Sequence, residues 1–468
     1  MPPRRRLGLA LAAFSIPCAA RQALVNDASG LNQVAVDRIL VPRTLDQIVA
    51  ALRSHPGTVS IGGARYSMGG QIAAERSLHL DLRGFDRVLR FVPHERRITV
   101  QPGMTWRRIQ AVIDPHGLAL QVMQSYADFS VGGSLGVNAH GRYVGQGPLV
   151  GSVASIRLIL ADGSAVVASP TRNSELFYGA IGGYGGVGVI VEATLTLTVN
   201  QRLERRTQVM PLAAYRQFFM RRVGADPDAV LHSATLYPDD YTLVRAVTHA
   251  RTGRALTQPA RLAATADDYR TEHQVQELLG ATQWGKQLRQ RILDPLFYAQ
   301  DLVEWRNHQA SLDVRSLASG ARDGSIYALQ EYFVPVAALE RFAGGLRAVL
   351  RRHRVNVINV SIRHARKDPG TLLAWARTDV FAFVLYYRQQ TDAGERDAVR
   401  AWTRELIDAA LALDGSFYLP YQIHASPSQF HAAYPNAGRF FALKRRVDPG
   451  NRFRNKLWDA YYVADGER

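Results

Sequence analysis

The stretch Ser130-Val131-Gly132-Gly133-Ser134-Leu135-Gly136-Val137-Asn138-Ala139-His140-Gly141-Arg142 sets four glycines around one histidine. Glycines let a backbone approach a ligand closely and turn its N–H groups toward an anion. A histidine adds a side chain that can carry a proton near neutral pH. A second such loop lies upstream, Ile61-Gly62-Gly63-Ala64-Arg65-Tyr66-Ser67-Met68-Gly69-Gly70. Two Gly-rich loops, each following a strand-like run, suit a ligand with two phosphates and flat rings, that is, a dinucleotide.

Residues 37–200 supply the elements that would hold these loops. Thr44 followed by Gln47 resembles a capping box and opens a helix over Leu45–Arg53. Strands are expected at Thr58–Ile61, Leu78–Leu82, Arg97–Val100, Val153–Leu160, Ala165–Ala168 and Val187–Val199. Asp162-Gly163 marks a hairpin. Helices are expected near Trp106–Ile113 and at Ser174–Ala180. From about residue 201 the character changes. Long charged helices are expected at 257–280 and 285–310, with further helices at 338–352 and 394–412. Strands are expected at Tyr327–Val334, Val355–Ile362 and Val380–Tyr387. The pattern is α+β with an antiparallel sheet rather than regular βαβ. Near 436 the chain turns polar and basic.

The 468 residues exceed one ordinary core, so two domains are expected. The net charge is +17, carried by arginine apart from Lys286, Lys367, Lys444 and Lys456. Codon composition accounts for such a bias; attraction to anionic partners, including peripheral contact with a membrane, is the functional alternative. No zinc spacing and no basic-region heptads accompany the charge, which excludes the common nucleic-acid binders. Cys18 is the single cysteine, which removes disulfides, thiolate metal sites and a cysteine nucleophile from the folded domains. It lies in an export-signal pattern over 1–20: Arg4-Arg5-Arg6, an apolar run Leu7–Ile16, then Cys18-Ala19-Ala20. The pattern includes a loose twin-arginine motif and implies a periplasmic protein. An uncleaved signal anchoring the chain to the membrane is the alternative.

Gly183-Tyr184-Gly185-Gly186-Val187-Gly188 fits G-x-G-x-x-G, yet a helix precedes it and a strand follows, the reverse of a dinucleotide fingerprint. These glycines are expected to let the turn pack close to the cofactor instead.

The ordered set Gly62–Gly70, Pro102-Gly103-Met104-Thr105-Trp106, Val131-Gly132-Gly133, Ala161-Asp162-Gly163, Glu175-Leu176-Phe177 and Gly188-Val189-Ile190 resembles the vanillyl-alcohol-oxidase superfamily, the PCMH-type FAD flavoproteins. His140-Gly141-Arg142, Tyr418-Leu419-Pro420-Tyr421 and Ala432-Ala433-Tyr434-Pro435 are similar to segments of sugar-lactone and alditol oxidases and of decaprenylphosphoryl-ribose oxidase. The resemblance implies a PCMH-type FAD-binding domain over 36–200 and an antiparallel-sheet substrate (cap) domain over 201–435. It also implies a C-terminal segment, 436–468, packing back on the first. The cofactor would be FAD, contacted by Gly62, Gly63, Ala64, Arg65, Tyr66, Ser67, Ser130, Val131, Gly132, Gly133, Val137, Asn138, Ala139, His140, Ile190, Tyr418 and Lys456. A surface role for Lys456 is equally open. Many relatives link FAD to a histidine where Tyr66 stands here, so non-covalent FAD is implied. No metal is expected.

In the expected strand 356–363, Asn359, Ser361 and Arg363 share one face, with Val360 and Ile362 on the other. Relatives carry Glu-x-Arg on the comparable strand, with the arginine near the flavin N1–C2 edge. Here Ser361-Ile362-Arg363 keeps the arginine and loses the carboxylate. Glu331 is a substitute or a solvent-facing residue. Tyr421 replaces a lysine of the relatives. The catalytic candidates are therefore His140, Arg363, Tyr421 and Glu331, with His140 open to a purely structural role. The implied activity is oxidation of a hydroxylated small molecule (a polyol, sugar or sugar lactone, an anionic one included) by hydride transfer to flavin. Dioxygen or a quinone or cytochrome then takes the electrons. A module that binds FAD without catalysis is the competing reading.

Overall fold

The computed structural model describes residues 23–238, 240–266, 268–316 and 324–462. The export-signal pattern over 1–20 lies outside them.

The first half holds two sheets. Strands Arg38–Leu40, Leu78–Asp81 and Val59–Gly62 form a three-stranded parallel sheet with Leu78–Asp81 central. The helix Leu45–Ser54 connects its outer strands and buries Ile48, Ala51 and Leu52. Both halves of the Thr44–Gln47 capping box are made, which satisfies N–H groups at the first turn and fixes where the helix starts. An antiparallel sheet runs in the order Ala165–Ala168, Val153–Ile159, Val189–Val199, Arg97–Val100, Val88–Val92. Leu118–Leu120 pairs the far end of Val189–Val199. Along that central strand buried and half-buried residues alternate from Ala193 on, as a strand with one face in the core requires.

The second half is built on one eight-stranded antiparallel sheet. Its order is Val303–Trp305, Arg202–Pro211, Leu243–Arg251, Ala229–Leu236, Asn356–Ala365, Val380–Gln390, Ser325–Pro335, Ser416–Phe417. Helices Leu339–Arg352 and Ala393–Leu411 pack on each other and on one face of this sheet. Leu339, Phe342, Ala343, Leu346, Val349 and Leu350 recur at the helical period and form the buried stripe of the first. The strand Val380–Gln390 is buried along nearly its whole length, since helices cover one face and the first half approaches the other.

The chain's end returns to the first half. Arg452 O accepts from Val59 N–H at 2.7 Å and Arg454 N–H donates to Val59 O at 3.0 Å, so the tail flanks the parallel sheet. Helix Ala437–Val447 and helix Lys456–Tyr461 stack Phe440 on Trp458 at 4.8 Å.

Three expectations need correction. Residues 257–266 are not helical: Pro259 cannot continue a helix, and the Thr257 and Gln258 N–H groups donate to Val303 O. The helix begins at Arg270 and ends at Ala281. A second helical run covers 283–299, with a π-turn at Arg289–Leu293 ahead of Asp294-Pro295. It stops before the strand Val303–Trp305, which pairs with Arg202–Glu204. Two of the glycines of 183–188 face the returning tail instead: a Cβ on Gly186 would lie 2.7 Å from Trp458 Nε1, and one on Gly183 would lie 3.0 Å from Phe440. Gly185 faces Ile61, ahead of the first Gly-rich loop, and Gly188, at φ 154°, faces Ile159 O.

Candidate active site

A cavity of about 670 Å³ lies between the two halves. Its floor is the two Gly-rich loops, through Gly63–Ser67 and through Ser130, Gly133, Ser134, Val137, Ala139 and His140. The sheet of the second half forms the roof, and Tyr418, Pro420 and Tyr421 close one side. The helices from Arg270 to Leu288 wall the outer end.

The loops touch each other, which explains their composition. Ala64 N–H donates to the Ser130 hydroxyl at 3.1 Å, and a Cβ on Gly63 would run into that same hydroxyl. Arg65 sits at φ 66° and donates from Nη2 to Asp81 Oδ2 at 2.9 Å. Among the described residues the backbone N–H groups of Arg65, Tyr66 and Ser67 have no acceptor. Arg65 Nε is likewise buried without a partner. Tyr66 stands edge-on to Phe129 at 4.8 Å; burial first, then Asp128 and Asp313, push its phenol up.

Six of the predicted residues are placed behind the cavity wall rather than on it. Gly62 faces His79, and a Cβ on Gly132 would lie 2.6 Å from Pro102 Cβ. Val131 is wholly buried, with its N–H on Met104 O. Asn138 donates to Asp368 at 2.8 Å. Ile190 pairs Leu158 inside its sheet. Lys456 lays its methylene stem against Gly70, where a Cβ would lie 2.7 Å from the Lys456 Cδ.

The catalytic candidates converge. His140 Nε2 lies 2.6 Å from Glu331 Oε1, and Tyr421 donates to Glu331 Oε2 at 3.2 Å. Glu331 is 2% exposed and lines the cavity, which decides against the solvent-facing alternative. Tyr418 donates to Val137 O at 2.9 Å, tying the side wall to the floor. Burial, followed by the Glu331 carboxylate, pushes both the Tyr418 and the Tyr421 phenols well above their ordinary value. Both therefore stay protonated and act as donors.

Arg363, Ser361 and Asn359 all face the cavity, while Val360 and Ile362 are fully buried on the opposite face. Arg363 Nε and, nearby on the wall, Ser125 Oγ are buried without a hydrogen-bond partner among the described residues. Tyr126 feels Arg363 and Arg142 after the dominant upward effect of burial. Arg142 donates to the side chain of Gln309 at 3.1 Å.

Two contributors escaped the sequence reading. Trp375 packs 4.9 Å from the His140 ring and donates from Nε1 to Asn138 O at 2.9 Å. Gln276 and Leu279 reach the cavity's outer end from the helix Arg270–Ala281. Apolar residues recurring at helical spacing are the only local signal for the second, and nothing local marks the first.

The FAD binding domain family matches residues 36–169. The mitochondrial L-galactono-1,4-lactone dehydrogenase of Arabidopsis thaliana is 29% identical over 205 residues, 43% of this chain and 33% of that protein. L-gulonolactone oxidase of Mus musculus is 28% identical over 149 residues, 32% of this chain and 34% of that protein. The alditol oxidase of a Streptomyces species is 37% identical over 102 residues, 22% of this chain and 24% of that protein. The matched segments thus span about a third or less of these relatives. A solved structure, a solvent-stable cholesterol oxidase, superposes with a TM-score of 0.72 over 94% of this chain and 97% of its own, at 16% identity. The chain shares that fold.

Proposed function

Because residues 36–169 are an FAD binding domain of the PCMH type, we propose that this chain is an FAD-dependent oxidoreductase that oxidises a CH–OH group of a polyol, sugar or sugar lactone. The observation that carries the reading is the shared carboxylate: Glu331 holds His140 at 2.6 Å and Tyr421 at 3.2 Å on the wall of the cavity.

The floor fits the cofactor. The open N–H groups of Arg65–Ser67, the unpartnered Arg65 Nε and the small residues at Gly63, Ala64 and Gly133 suit a pyrophosphate. Flavin supplies an acceptor for the hydride that leaves the substrate carbon.

The remaining chemistry belongs to the chain. A hydroxyl that loses hydride from its carbon must also lose its proton, and a base within hydrogen-bond reach is needed. His140 Nδ1 faces Gly141 O at 3.2 Å while Nε2 faces Glu331. With acceptors at both nitrogens, one exchangeable proton sits between Nε2 and Oε1. Tyr421 donates to the other carboxylate oxygen, leaving its own oxygen lone pairs to accept from a substrate hydroxyl. The proton then passes from substrate to Tyr421 and from Tyr421 to Glu331, with His140 holding the balance. Arg363 presents an unpartnered Nε and offsets negative charge that develops beside it.

Non-covalent attachment of FAD and export to the periplasm complete the reading. Acid precipitation of the yellow protein should release its flavin to the supernatant, and Arg4, Arg5 and Arg6 changed to Gln should hold the chain in the cytoplasm. The activity is tested by bleaching of bound flavin against polyols, sugars, aldonolactones and sugar acids. Runs under argon, in air, and with a quinone or cytochrome separate the acceptors. Full flavin loading with no bleaching by any of these classes would overturn it.

A further inference from the structure

Exposed large apolar side chains are scattered singly over most of the described surface, and such residues need no explanation. One stretch is different. Leu278, Trp284, Ile292, Leu293, Leu296 and Phe297 are each 38–67% exposed and fall within two consecutive helical runs. Ile292, Leu293, Leu296 and Phe297 follow i, i+1, i+4, i+5 spacing, which puts them on one side of the second run. Arg205 lies over the Phe297 ring at 4.9 Å, and the stripe as a whole stays open to solvent.

The polar residues of the same run select its occupant. Between 283 and 299 the cations Lys286, Arg289 and Arg291 stand against one carboxylate, Asp294. Lys286 and Arg289 turn inward, donating to Asn356 Oδ1 at 2.8 Å and to Ile358 O at 3.2 Å. Arg291 is exposed beside the apolar side chains. A short helix with Trp, Leu and Phe on one side, an exposed arginine beside them and no spanning length has the character of an interfacial membrane helix. Among the described residues no helix is long and apolar enough to cross a bilayer.

We propose that residues 278–297 dock the protein on an anionic lipid bilayer, with the apolar stripe entering the headgroup boundary and Arg291 meeting lipid phosphates. The exposed Arg291 and the chain's +17 charge favour an anionic surface, and a second copy, carrying the same charge, would be repelled. The same helices wall the outer end of the cavity, through Gln276, Leu279 and Lys286. Docking therefore brings the cavity's outer end to the lipid surface.

The test uses the flavin-loaded full chain with vesicles of phosphatidylcholine alone and of phosphatidylcholine with 30% phosphatidylglycerol. Co-flotation should favour the anionic vesicles by about tenfold and fall in high salt. Brominated lipid should quench the Trp284 component of the fluorescence, with Trp284→Phe as the blank. Ile292→Asp combined with Leu296→Asp should reduce flotation to background while flavin content and melting temperature stay unchanged. Arg291→Glu should remove the preference for anionic lipid. Equal flotation of wild type and the double variant would overturn the proposal. So would a wild type that ignores vesicles, or one that sediments as a dimer which the double variant breaks.

Discussion

Ser361 and Glu331 are both register partners of Val384, from opposite sides of the strand Val380–Gln390. The carboxylate that the Glu-x-Arg pattern would place at Ser361 is thus supplied from two strands away, about 10 Å across the sheet, at the same height and on the same face. From there it reaches His140 rather than standing beside Arg363. The acid and the cation of the site are therefore held by different strands and can be tested separately.

Glu331→Gln keeps the size of the side chain and removes the shared proton. Substrate-driven flavin bleaching should slow by about 10²–10⁴-fold, with flavin loading intact. His140→Gln on top of it should add little, since the two act as one unit. Additive losses in stopped-flow rates would separate the residues and reject the relay.

Arg363→Ala should slow bleaching by about 10²–10³-fold while changing FAD affinity far less. A cation that stabilises developing charge acts on the transition state, not on the resting complex. Lysine should restore only part of the rate, lacking the planar fork. An unchanged stopped-flow rate beside a normal fluorescence titration of FAD would remove Arg363 from the site.

Gly63→Val should abolish flavin loading, because its side chain would displace the Ser130 hydroxyl that joins the two loops. Gly132→Val strikes Pro102 instead, 2.6 Å away, and should cost stability before it costs cofactor. Flavin content set against melting temperature for the two variants distinguishes these outcomes. Full loading in Gly63→Val would refute the junction's role.

Burial holds His79 and His424 down to about 4 and His232 to about 3. Arg65 adds to the effect at His79, Arg400 at His424 and His364 at His232. Each folded value lies below the unfolded one, so the unfolded chain binds more protons between about pH 6.5 and 4. Stability should be complete above that window and fall as pH drops through it, by up to about 1.4 kcal/mol per pH unit for each histidine. Urea unfolding at pH 7.5, 6 and 5 measures it; a flat profile would show that these histidines titrate freely in the folded state.

What was legible in the sequence was local. The Thr44–Gln47 cap, the helix Trp106–Ile113 and the alternation that turns Arg363 into the cavity depend on neighbours within a few residues. The strand Arg202–Pro211 was not legible, because Glu204, Arg205 and Arg206 interrupt its apolar pattern and four consecutive residues face outward. Nor was the burial of Glu331, since its partners are 191 and 90 residues away in the chain. The helix expected over 257–280 lost its first part for the same reason: Val303, far along the chain, takes the N–H groups of Thr257 and Gln258.

The pairing of Val59 with Phe453 also bears on how the protein is made. The edge of the parallel sheet is flanked only once residues 452–454 have been made. A shorter nascent chain leaves Val59 without Arg452 and Arg454, and leaves the glycines at 183 and 186 without Phe440 and Trp458. The first half of the chain therefore cannot finish its own packing as it is synthesised, and folds to completion only when the second half is already in place.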